Sequence, residues 1–243
     1  MRPYIFCHMS ITLDGKIIGP SSQAPESKPA GKVFYDLAFG KNAFYQHEGW
    51  LSGRTTTDDN FTHYQKPVLD EDAPQVPDGD FVAEASPTMD KYYISIDPSG
   101  KLGWQSKTFN YQDTTGEVIE VLTEKASNAY KAFLRKLNIS YVIAGKDKLD
   151  SELVLKKMAD LFQMKTIMLG GGGVLNWSFI QQGLCDELSL VMKPVADGSP
   201  DTPSLFQSKE GLSDNTPVSF TLTDIQVKDK ENGIAWLRYL VNN

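Results

Sequence analysis

Short apolar runs alternate with longer amphipathic segments along most of the chain. The runs are typical of buried strands, and the segments place apolar residues at the spacing of a helix face. Strands are predicted at residues 4–10, 49–53, 92–96, 118–122, 141–145, 166–169 and 187–195. Helices are predicted at residues 32–46, 127–137, 151–162 and 174–182, the third with Asp150 or Ser151 as its N-cap.

Strands that alternate with helices predict a largely parallel sheet covered on both faces. The last two predicted strands differ, because residues 219–227 and 234–241 are joined by a short turn that contains Asn232-Gly233, a hairpin signal. The predicted fold is therefore α/β, with a mixed, mostly parallel sheet and antiparallel C-terminal strands.

Two segments lack this pattern. Residues 19–31 are rich in Pro, Ser, Gly and Ala, and residues 58–90 show little periodicity, so both are predicted to be loops. A loop as long as the second is uncommon in compact domains, which makes it a functional lid or a plain surface insertion. No linker divides the chain, so residues 1–243 are predicted to form one domain with an excursion at 58–90.

Composition and charge exclude several classes of protein. The net charge is −7, and an acidic chain is a poor match for the backbone of nucleic acids. No run of 18 apolar residues and no signal peptide are present, so neither membrane insertion nor secretion is expected. The two cysteines, Cys7 and Cys185, are too few for a disulfide framework, and a reduced, cytoplasmic protein is expected.

The most specific chemical signal is a run of four glycines at positions 170–173, between a predicted strand and a predicted helix. Glycine lets the backbone approach a ligand closely, and a helix N-terminus offers unpaired N–H groups to a phosphate. A tight turn without a ligand needs only one or two glycines, so four favour a dinucleotide phosphate. The run lies late in the chain and lacks the spacing Gly-x-Gly-x-x-Gly, which excludes a Rossmann fingerprint.

A second anion-binding pattern, Gly53-Arg54-Thr55-Thr56, directly follows a predicted strand. Arg supplies a bidentate charged donor and Thr a hydroxyl, which suits a phosphate monoester, although an Arg after a turn is also common on protein surfaces. Taken with the glycine run, the pattern favours NADPH, which carries both a pyrophosphate and a 2′-phosphate.

These motifs, in this order, resemble the C-terminal reductase domain of the bifunctional deaminase/reductase of riboflavin biosynthesis, a member of the dihydrofolate-reductase-like superfamily. The resemblance covers nearly the whole chain. It rests on the segment from Pro3 to Ile17, on Gly53-Arg54-Thr55-Thr56, on the glycine run, and on Gly183-Leu184-Cys185-Asp186-Glu187-Leu188 followed by Lys193-Pro194-Val195 and Gly198.

The resemblance implies a three-layer αβα fold, a homodimer and NADPH as the cofactor. NADPH would lie across the carboxyl ends of the strands, the Asp14-Gly15 loop would border the nicotinamide and the substrate, and Glu187 would face the substrate. The residues implied to bind NADPH are Gly53, Arg54, Thr56, Gly171, Gly172, Gly173, Val174 and Leu175.

Three positions depart from the pattern of that family. His8 stands where the riboflavin reductases usually have Lys, Asp58-Asp59-Asn60-Phe61 replaces Asp-Asn-Pro, and Gly170 replaces an acid that often precedes the glycines. The deaminase half with its zinc-binding motif is absent, and no metal is expected. These departures affect the predicted substrate more than the predicted cofactor.

Hydride transfer to a C=N or C=O bond also needs a proton, and His8, Asp14 and Glu187 are predicted to serve catalysis. Each has an alternative role. His8 on a buried strand also fits a core histidine bonded to a backbone carbonyl, Asp14 also fits a turn-former, and Glu187 also fits a solvated acid at a strand end. Lys16 and Asp59 are predicted to contact the substrate.

The predicted function is therefore an NADPH-dependent reductase of a small planar heterocyclic or carbonyl substrate, resembling the reductase that acts on 5-amino-6-(5-phosphoribosylamino)uracil. Two other functions remain open. The loss of the first-strand Lys fits an NADPH-binding module without turnover. Asp36, the only acid well inside the first predicted helix, leaves room for a dihydrofolate reductase.

Overall fold

The computed structural model of the chain describes residues 2–84, 90–209, 211 and 213–242. Its contacts group the chain into two compact units. Residues 1–3 and 48–167 form the first unit, and residues 4–47 and 168–243 form the second. The single domain expected from the sequence stays a prediction.

The first unit is built on parallel strands. β2 (Gly49–Gly53) pairs with β3 (Tyr92–Ile96), β3 pairs with β5 (Thr114–Leu122), and the second half of β5 pairs with β6 (Ser140–Ile143). The first half of β5 pairs with β4 (Thr108–Tyr111), which runs antiparallel to it. The helices of this unit are α2 (Arg54–Thr57), α3 (Asn128–Lys136) and α4 (Ser151–Phe162).

The second unit combines parallel and antiparallel pairing. β1 (Tyr4–Ile11) runs parallel to β8 (Glu187–Met192), β8 is antiparallel to β10 (Ile234–Val241), and β10 is antiparallel to β9 (Phe220–Asp229). Its helices are α1 (Ser27–Ala38) and α5 (Gly173–Gln181). β7 (Thr166–Leu169) has its first two residues in the first unit and its last two in the second. The predicted fold class, a mixed and mostly parallel sheet with antiparallel C-terminal strands, is confirmed.

Two predicted helices begin at side-chain caps. Ser127 Oγ accepts a hydrogen bond from the N–H of Tyr130 at 3.1 Å, and Asp150 Oδ1 accepts one from the N–H of Leu153 at 2.9 Å. Each cap satisfies one of the N–H groups that the first turn of a helix leaves unpaired. Of the two caps considered for the helix at 151–162, Asp150 is the one used.

The first predicted helix, at 32–46, is wrong at both ends, because α1 spans Ser27–Ala38. Pro29 and Gly31 made residues 19–31 look like a loop, but proline is tolerated in the first turn of a helix, where its missing N–H costs nothing. At the other end, the N–H groups of Phe39 and Gly40 both turn back to the carbonyl of Tyr35, at 2.7 and 3.1 Å. The helix therefore ends at Ala38, and Gly40 lies directly after its C-cap, Phe39.

The excursion predicted at 58–90 is only partly irregular. Residues Asp58–Thr62 form a π-helical turn that continues α2, so the first five residues are helical. Phe81 forms an isolated β-bridge with Tyr141. Residues 85–89 lie outside the described part of the chain, and the role of the segment as a lid stays a prediction.

In the described residues, no helix has both the length and the apolar composition that crossing a membrane requires.

Candidate active site

The glycine run forms a close-fitting turn between β7 and α5 in the second unit. Gly171 has a φ of +99°, a conformation that side-chain-bearing residues rarely adopt, and the peptide bond between Gly171 and Gly172 is cis. A Cβ at Gly171 would lie 3.2 Å from Cε of Met9, and a Cβ at Gly173 would lie 2.3 Å from the backbone oxygen of Ser204. Gly171 therefore favours glycine because of its positive φ, and Gly173 because a side chain would collide with the backbone of Ser204.

The start of α5 has the chemistry of an anion site. Its N-cap is Gly172, no side chain caps the first turn, and no acidic residue lies in that turn. The first N–H groups of a helix have no partner inside it, and they carry the positive end of the helix dipole. A phosphate placed at residues 172–175 would meet these N–H groups without competition from a nearby carboxylate.

Asp14 holds two loops of the second unit together. Its Oδ1 accepts hydrogen bonds from Thr12 Oγ1 and, at 3.0 Å, from the N–H of Asp197, and its Oδ2 accepts one at 2.8 Å from the N–H of Gly198. These donors, Thr12 first, hold the pKa of Asp14 well below its usual value. Asp14 is therefore ionised at neutral pH, and its position matches the turn-forming role more closely than that of a proton donor.

One segment, residues 193–207, links the Asp14 loop to the glycine turn. Besides the contacts at Asp14, Lys16 Nζ donates to the carbonyl of Thr202 at 3.0 Å. Further along, the N–H of Gln207 donates to the carbonyl of Gly173 at 3.1 Å. The structure thus brings the predicted residues Asp14 and Lys16 and the predicted phosphate turn into one group of loops. Residues 199–207 were not predictable as part of the site, because they have neither apolar periodicity nor a charged motif.

Glu187 begins β8 as a buried carboxylate, 3% exposed. Arg238 forms a bidentate pair with it, Nε lying 2.7 Å from Oε1 and Nη2 lying 2.9 Å from Oε2. Tyr4 Oη donates to Oε2 at 2.9 Å, and Tyr45 Oη donates to Oε1. Burial alone would raise the pKa of Glu187, but hydrogen bonds from Arg238, Tyr45 and Tyr4 outweigh it and lower the pKa.

The predicted role of Glu187 opposite the substrate stays a prediction, and its contacts limit what that role can be. A carboxylate held ionised by an arginine and two tyrosines is not a source of protons. The solvated strand-end alternative does not fit either, because the group is buried.

His8 is fully buried on β1. Its Nε2 lies 3.0 Å from the carbonyl of Phe34, its Nδ1 lies 2.8 Å from Ser189 Oγ, and its ring stacks on Phe34 with centroids 4.4 Å apart. Burial lowers the pKa of His8 to about 4, so the ring is neutral. The carbonyl fixes the proton on Nε2. These are the contacts of a core histidine, and the predicted catalytic role of His8 gains no support from them.

Asp36 is the residue on which the alternative prediction of a dihydrofolate reductase rests. It pairs with Lys32 one turn earlier on α1. Its side chain is 52% exposed. An acid that faces solvent in a surface ion pair does not match an acid that faces a pterin, so nothing in α1 favours this alternative.

In the first unit, Gly53, Arg54 and Thr56 lie where β2 ends and α2 begins. The side chain of Arg54 is 44% exposed, and its Nη1 lies 3.8 Å from Oδ1 of Asp97. Asp59, a predicted substrate residue, is exposed and accepts a hydrogen bond from Tyr64 Oη. Arg54 therefore keeps enough exposure to bind an anion, while no described contact ties Asp59 to a substrate-binding role.

Two buried acids of the first unit were not singled out from the sequence. Asp97 follows β3 and Glu120 lies inside β5, and both are fully buried. Burial raises the pKa of each, and Asp97 raises that of Glu120 further. Trp104 Nε1 donates to Glu120 Oε1. The feature of the sequence that could have identified Glu120 is the presence of an acid inside the apolar run at 118–122.

No group of three His, Cys, Asp or Glu side chains within the described ranges is arranged to hold a metal ion.

Comparison with known proteins decides the family. A model of the RibD C-terminal domain matches residues 3–234. The chain belongs to the RibD C-terminal domain family. It is 27% identical over 217 residues to the 2,5-diamino-6-ribosylamino-4(3H)-pyrimidinone 5′-phosphate reductase of Methanothermobacter thermautotrophicus, a match that covers 88% of each chain. Membership of the RibD C-terminal family makes the chain an oxidoreductase, as predicted.

Solved structures of RibD-type proteins share the fold. RibD of Acinetobacter baumannii matches 99% of this chain with a TM-score of 0.65 and 16% identity, and this chain spans 58% of that longer protein. A pyrimidine reductase-like protein of Corynebacterium diphtheriae matches 99% of this chain and 92% of its own, with a TM-score of 0.65 and 15% identity. The family resemblance stated from the motifs is confirmed.

Proposed function

We propose that the chain uses NADPH to reduce a small planar heterocycle that carries a C=N or C=O bond, within riboflavin biosynthesis or a closely related route. The substrate class is that named for the archaeal relative, a ribosylamino-pyrimidine 5′-phosphate. The observation that supports this proposal most is the glycine turn before α5, in which Gly171 has a positive φ, a side chain at Gly173 would collide with the backbone of Ser204, and the first N–H groups of the helix are uncapped.

The residues of the turn suit a pyrophosphate. Gly171 and Gly173 remove the side chains that would keep a phosphate away from the backbone, and the N–H groups of the first turn of α5, up to Leu175, would donate to its oxygens. NADPH, when bound, supplies the hydride. Arg54 and Thr56 of the first unit are proposed separately as the donors to a 2′-phosphate, which NADH lacks.

Within the second unit, the residues of the Asp14 loop orient rather than protonate. Asp14 remains an anion and fixes the loop that contains Gly15 and Lys16 against residues 197–198. Glu187 also remains an anion, and His8 is neutral with its Nε2 proton committed to Phe34. We therefore assign the proton of the reduction to water rather than to any of these three side chains.

Titration of the purified protein with NADPH tests the cofactor. The fluorescence of NADPH should shift to the blue and change in intensity on binding, with an affinity at least about tenfold higher than for NADH, since one charged hydrogen-bonded pair contributes about 1.5–3 kcal/mol. No binding of either nucleotide at millimolar concentration would refute the proposal.

Family membership argues against the second candidate, a binding module without turnover. It is tested because none of His8, Asp14 and Glu187 is a ready proton donor. Oxidation of NADPH is measured with panels of ribosylamino-pyrimidines, pterins and carbonyl compounds. Turnover of any one compound rejects the binding module, whereas tight NADPH binding without oxidation across the panels supports it.

We further propose that the chain acts in the cytoplasm as a homodimer. Cys7 and Cys185 are both unbridged, which fits a reducing compartment. The homodimer is implied by the family resemblance. β9 is an edge strand, and we propose that it forms the interface between the two subunits. Three apolar side chains of β9, Leu222, Ile225 and Val227, are 50–69% exposed.

A further inference from the structure

Asp97, directly after β3, is a completely buried acid that the proposed function does not use. Its Oδ2 accepts hydrogen bonds from the N–H of Lys101 and, at 2.9 Å, from the N–H of Leu102. Its own N–H donates to the carbonyl of Val121 at 3.1 Å. Backbone and carboxylate are therefore both held in place by the fold of the first unit.

The other carboxylate oxygen of Asp97 faces Arg54. This oxygen, Oδ1, is completely covered and accepts no hydrogen bond from any residue that the structure describes. Arg54 Nη1 lies 3.8 Å from it, within the distance of an ion pair but beyond that of a hydrogen bond. The side chain of Arg54 is 44% exposed. The same guanidinium can therefore face the buried carboxylate on one side and a dissolved anion on the other.

The charge of Asp97 depends on the groups around it. Besides Arg54, the titratable groups that interact with it electrostatically are Asp58 of the π-helical turn, Glu120 of β5 and Tyr130 of α3. Burial raises the pKa of Asp97 and Asp58 raises it further, whereas the two N–H donors and Arg54 lower it. Among these groups only Arg54 is a cation. Neutralising the charge of Arg54 would therefore favour the protonated form of Asp97.

A phosphate dianion bound to Arg54 has this effect. It shares the guanidinium with Asp97 and adds negative charge beside it, and like charges repel strongly where water is excluded. A proton from solvent on Asp97 Oδ1, the oxygen that neither N–H group uses, removes this repulsion. A nucleotide whose ribose keeps a free 2′-hydroxyl brings no such charge, so it leaves the protonation of Asp97 unchanged.

We propose that Asp97 takes up a proton when Arg54 binds a phosphate dianion, and that Asp97 thereby makes the preference for a 2′-phosphorylated nucleotide depend on pH. This inference rests on the proposed function and deepens it, because it adds a residue that determines cofactor specificity through Arg54. A ligand that raises the proton affinity of a group binds more tightly when that group is protonated. The contribution of Asp97 therefore favours binding of the phosphorylated nucleotide as the pH falls.

Calorimetry with NADP⁺ and NAD⁺, which differ only in the 2′-phosphate, tests the proposal. Wild type is compared with Asp97→Asn and with Asp72→Asn, at an exposed acid of the same unit. Asn keeps an acceptor for the two N–H groups and resembles the protonated carboxyl. Titrations between about pH 5.5 and 8, in buffers of different ionisation enthalpy, count the protons taken up.

Wild type and Asp72→Asn should each take up roughly half a proton more with NADP⁺ than Asp97→Asn does, at the pH where the difference is largest. With NAD⁺ the three proteins should not differ. The 2′-phosphate itself titrates near a pKa of about 6, but it is the same in every titration with NADP⁺ and cancels from the comparison.

The affinities give an independent measure. At about pH 8, Asp97→Asn should bind NADP⁺ at least about threefold more tightly than wild type, because it has no charge that repels the phosphate. The two affinities should converge as the pH falls, and the affinity for NAD⁺ should stay within about twofold.

Two outcomes would overturn the role of Asp97 alone. Weaker binding of NADP⁺ by Asp97→Asn at every pH would show that Asp97 only orients Arg54. Proton uptake by wild type that is no larger with NADP⁺ than with NAD⁺ would also contradict it, and that comparison needs no variant. If wild type binds neither nucleotide, the proposed function fails and this inference fails with it.

Discussion

Single residues of the candidate site are held by partners that lie far away in the chain. Glu187 is bound by Arg238, 51 residues later, and Asp14 by the N–H of Gly198, 184 residues later. Such contacts decide whether an acid donates a proton or holds a loop, because they set its pKa. The residue types of the site were predictable from the sequence, but these partners were not.

Glu187→Gln should destabilise the protein. The substitution keeps the shape of the side chain but leaves Arg238 beside an uncharged group, and breaking a buried pair from one side is costly. We expect a loss of about 2 kcal/mol in the free energy of unfolding, below the value for fully buried pairs because Arg238 is partly exposed. Urea denaturation measures it. Glu231→Gln, at an exposed acid of the same unit, is the control, and equal stability of the two variants would contradict the structural role of the pair.

Glu187 should also link stability to pH. Its pKa is lower in the folded protein than the unfolded value of about 4.3, so the ionised form stabilises the fold above that value, and this contribution is lost as the pH falls through the folded pKa. The stability difference between wild type and Glu187→Gln should be constant near neutral pH and shrink below about pH 4. Asp14 also has a lowered pKa, but it is present in both proteins and cancels from the difference. A difference that grows towards acid pH would be inconsistent with an ionised Glu187.

Arg54→Gln should reduce the preference for NADPH over NADH. Loss of one charged donor to the proposed 2′-phosphate is expected to weaken NADPH binding at least about tenfold and to leave NADH binding unchanged. Fluorescence titration with both nucleotides gives the ratio. Lys66→Gln removes the same charge from an exposed position of the same unit and should bind like wild type. A parallel loss for NADPH and NADH would show that Arg54 does not bind the 2′-phosphate.

At the scale of elements, the predicted bounds were best where an apolar run has a clear end. β2 and β7 begin and end where the sequence predicted, because polar residues or glycines stand on both sides of each run. The first helix was misplaced because proline and glycine usually indicate a loop. Here Pro29 lies in the first turn of the helix, Gly31 lies inside it, and Gly40 lies just after its end. β4 was missed because only one of its four side chains, that of Phe109, is buried, so its sequence contains no apolar run. Its extended conformation depends on antiparallel pairing with β5.

Gly173→Ala should disturb the junction of β7 and α5. A methyl group there would lie 2.3 Å from the backbone oxygen of Ser204, so the helix start or the 204–207 segment must move. We expect at least about a tenfold loss in NADPH affinity, because the N–H groups proposed to bind the pyrophosphate move with the helix. Circular dichroism must show that the variant is folded before the titration is interpreted.

Gly31→Ala is the matched control for that substitution. Gly31 lies inside α1, and a Cβ there would meet no atom within 4 Å. Alanine should therefore leave NADPH binding unchanged and raise stability by about 0.5–1 kcal/mol through its higher helix propensity. Equal affinities of the two alanine variants would contradict the role of the glycine turn in binding the cofactor.

At the scale of the whole molecule, the order of the motifs carried more information than any one of them. Each motif is short, but their sequence along the chain led to the family that the RibD C-terminal model matches over residues 3–234. The state of Glu187 was not visible in that order. It depends on which strands lie side by side, since Arg238 reaches Glu187 only because β8 and β10 pair.

The proposed homodimer can be tested at β9. Among the described strands, β9 pairs only with β10, and an exposed edge strand with apolar side chains is prone to associate with another chain. A stable interface buries about 1,200–2,000 Å² in total, so two lysines in its centre should prevent it. Light scattering with size exclusion should give a dimer for wild type and a monomer for the double variant Ile225→Lys/Val227→Lys.

Val68→Lys is the control for this test. It changes an apolar side chain of the first unit that is 85% exposed, and the variant should remain dimeric. A dimer that survives the double substitution would place the interface elsewhere on the molecule, and a monomeric wild type would refute the homodimer itself.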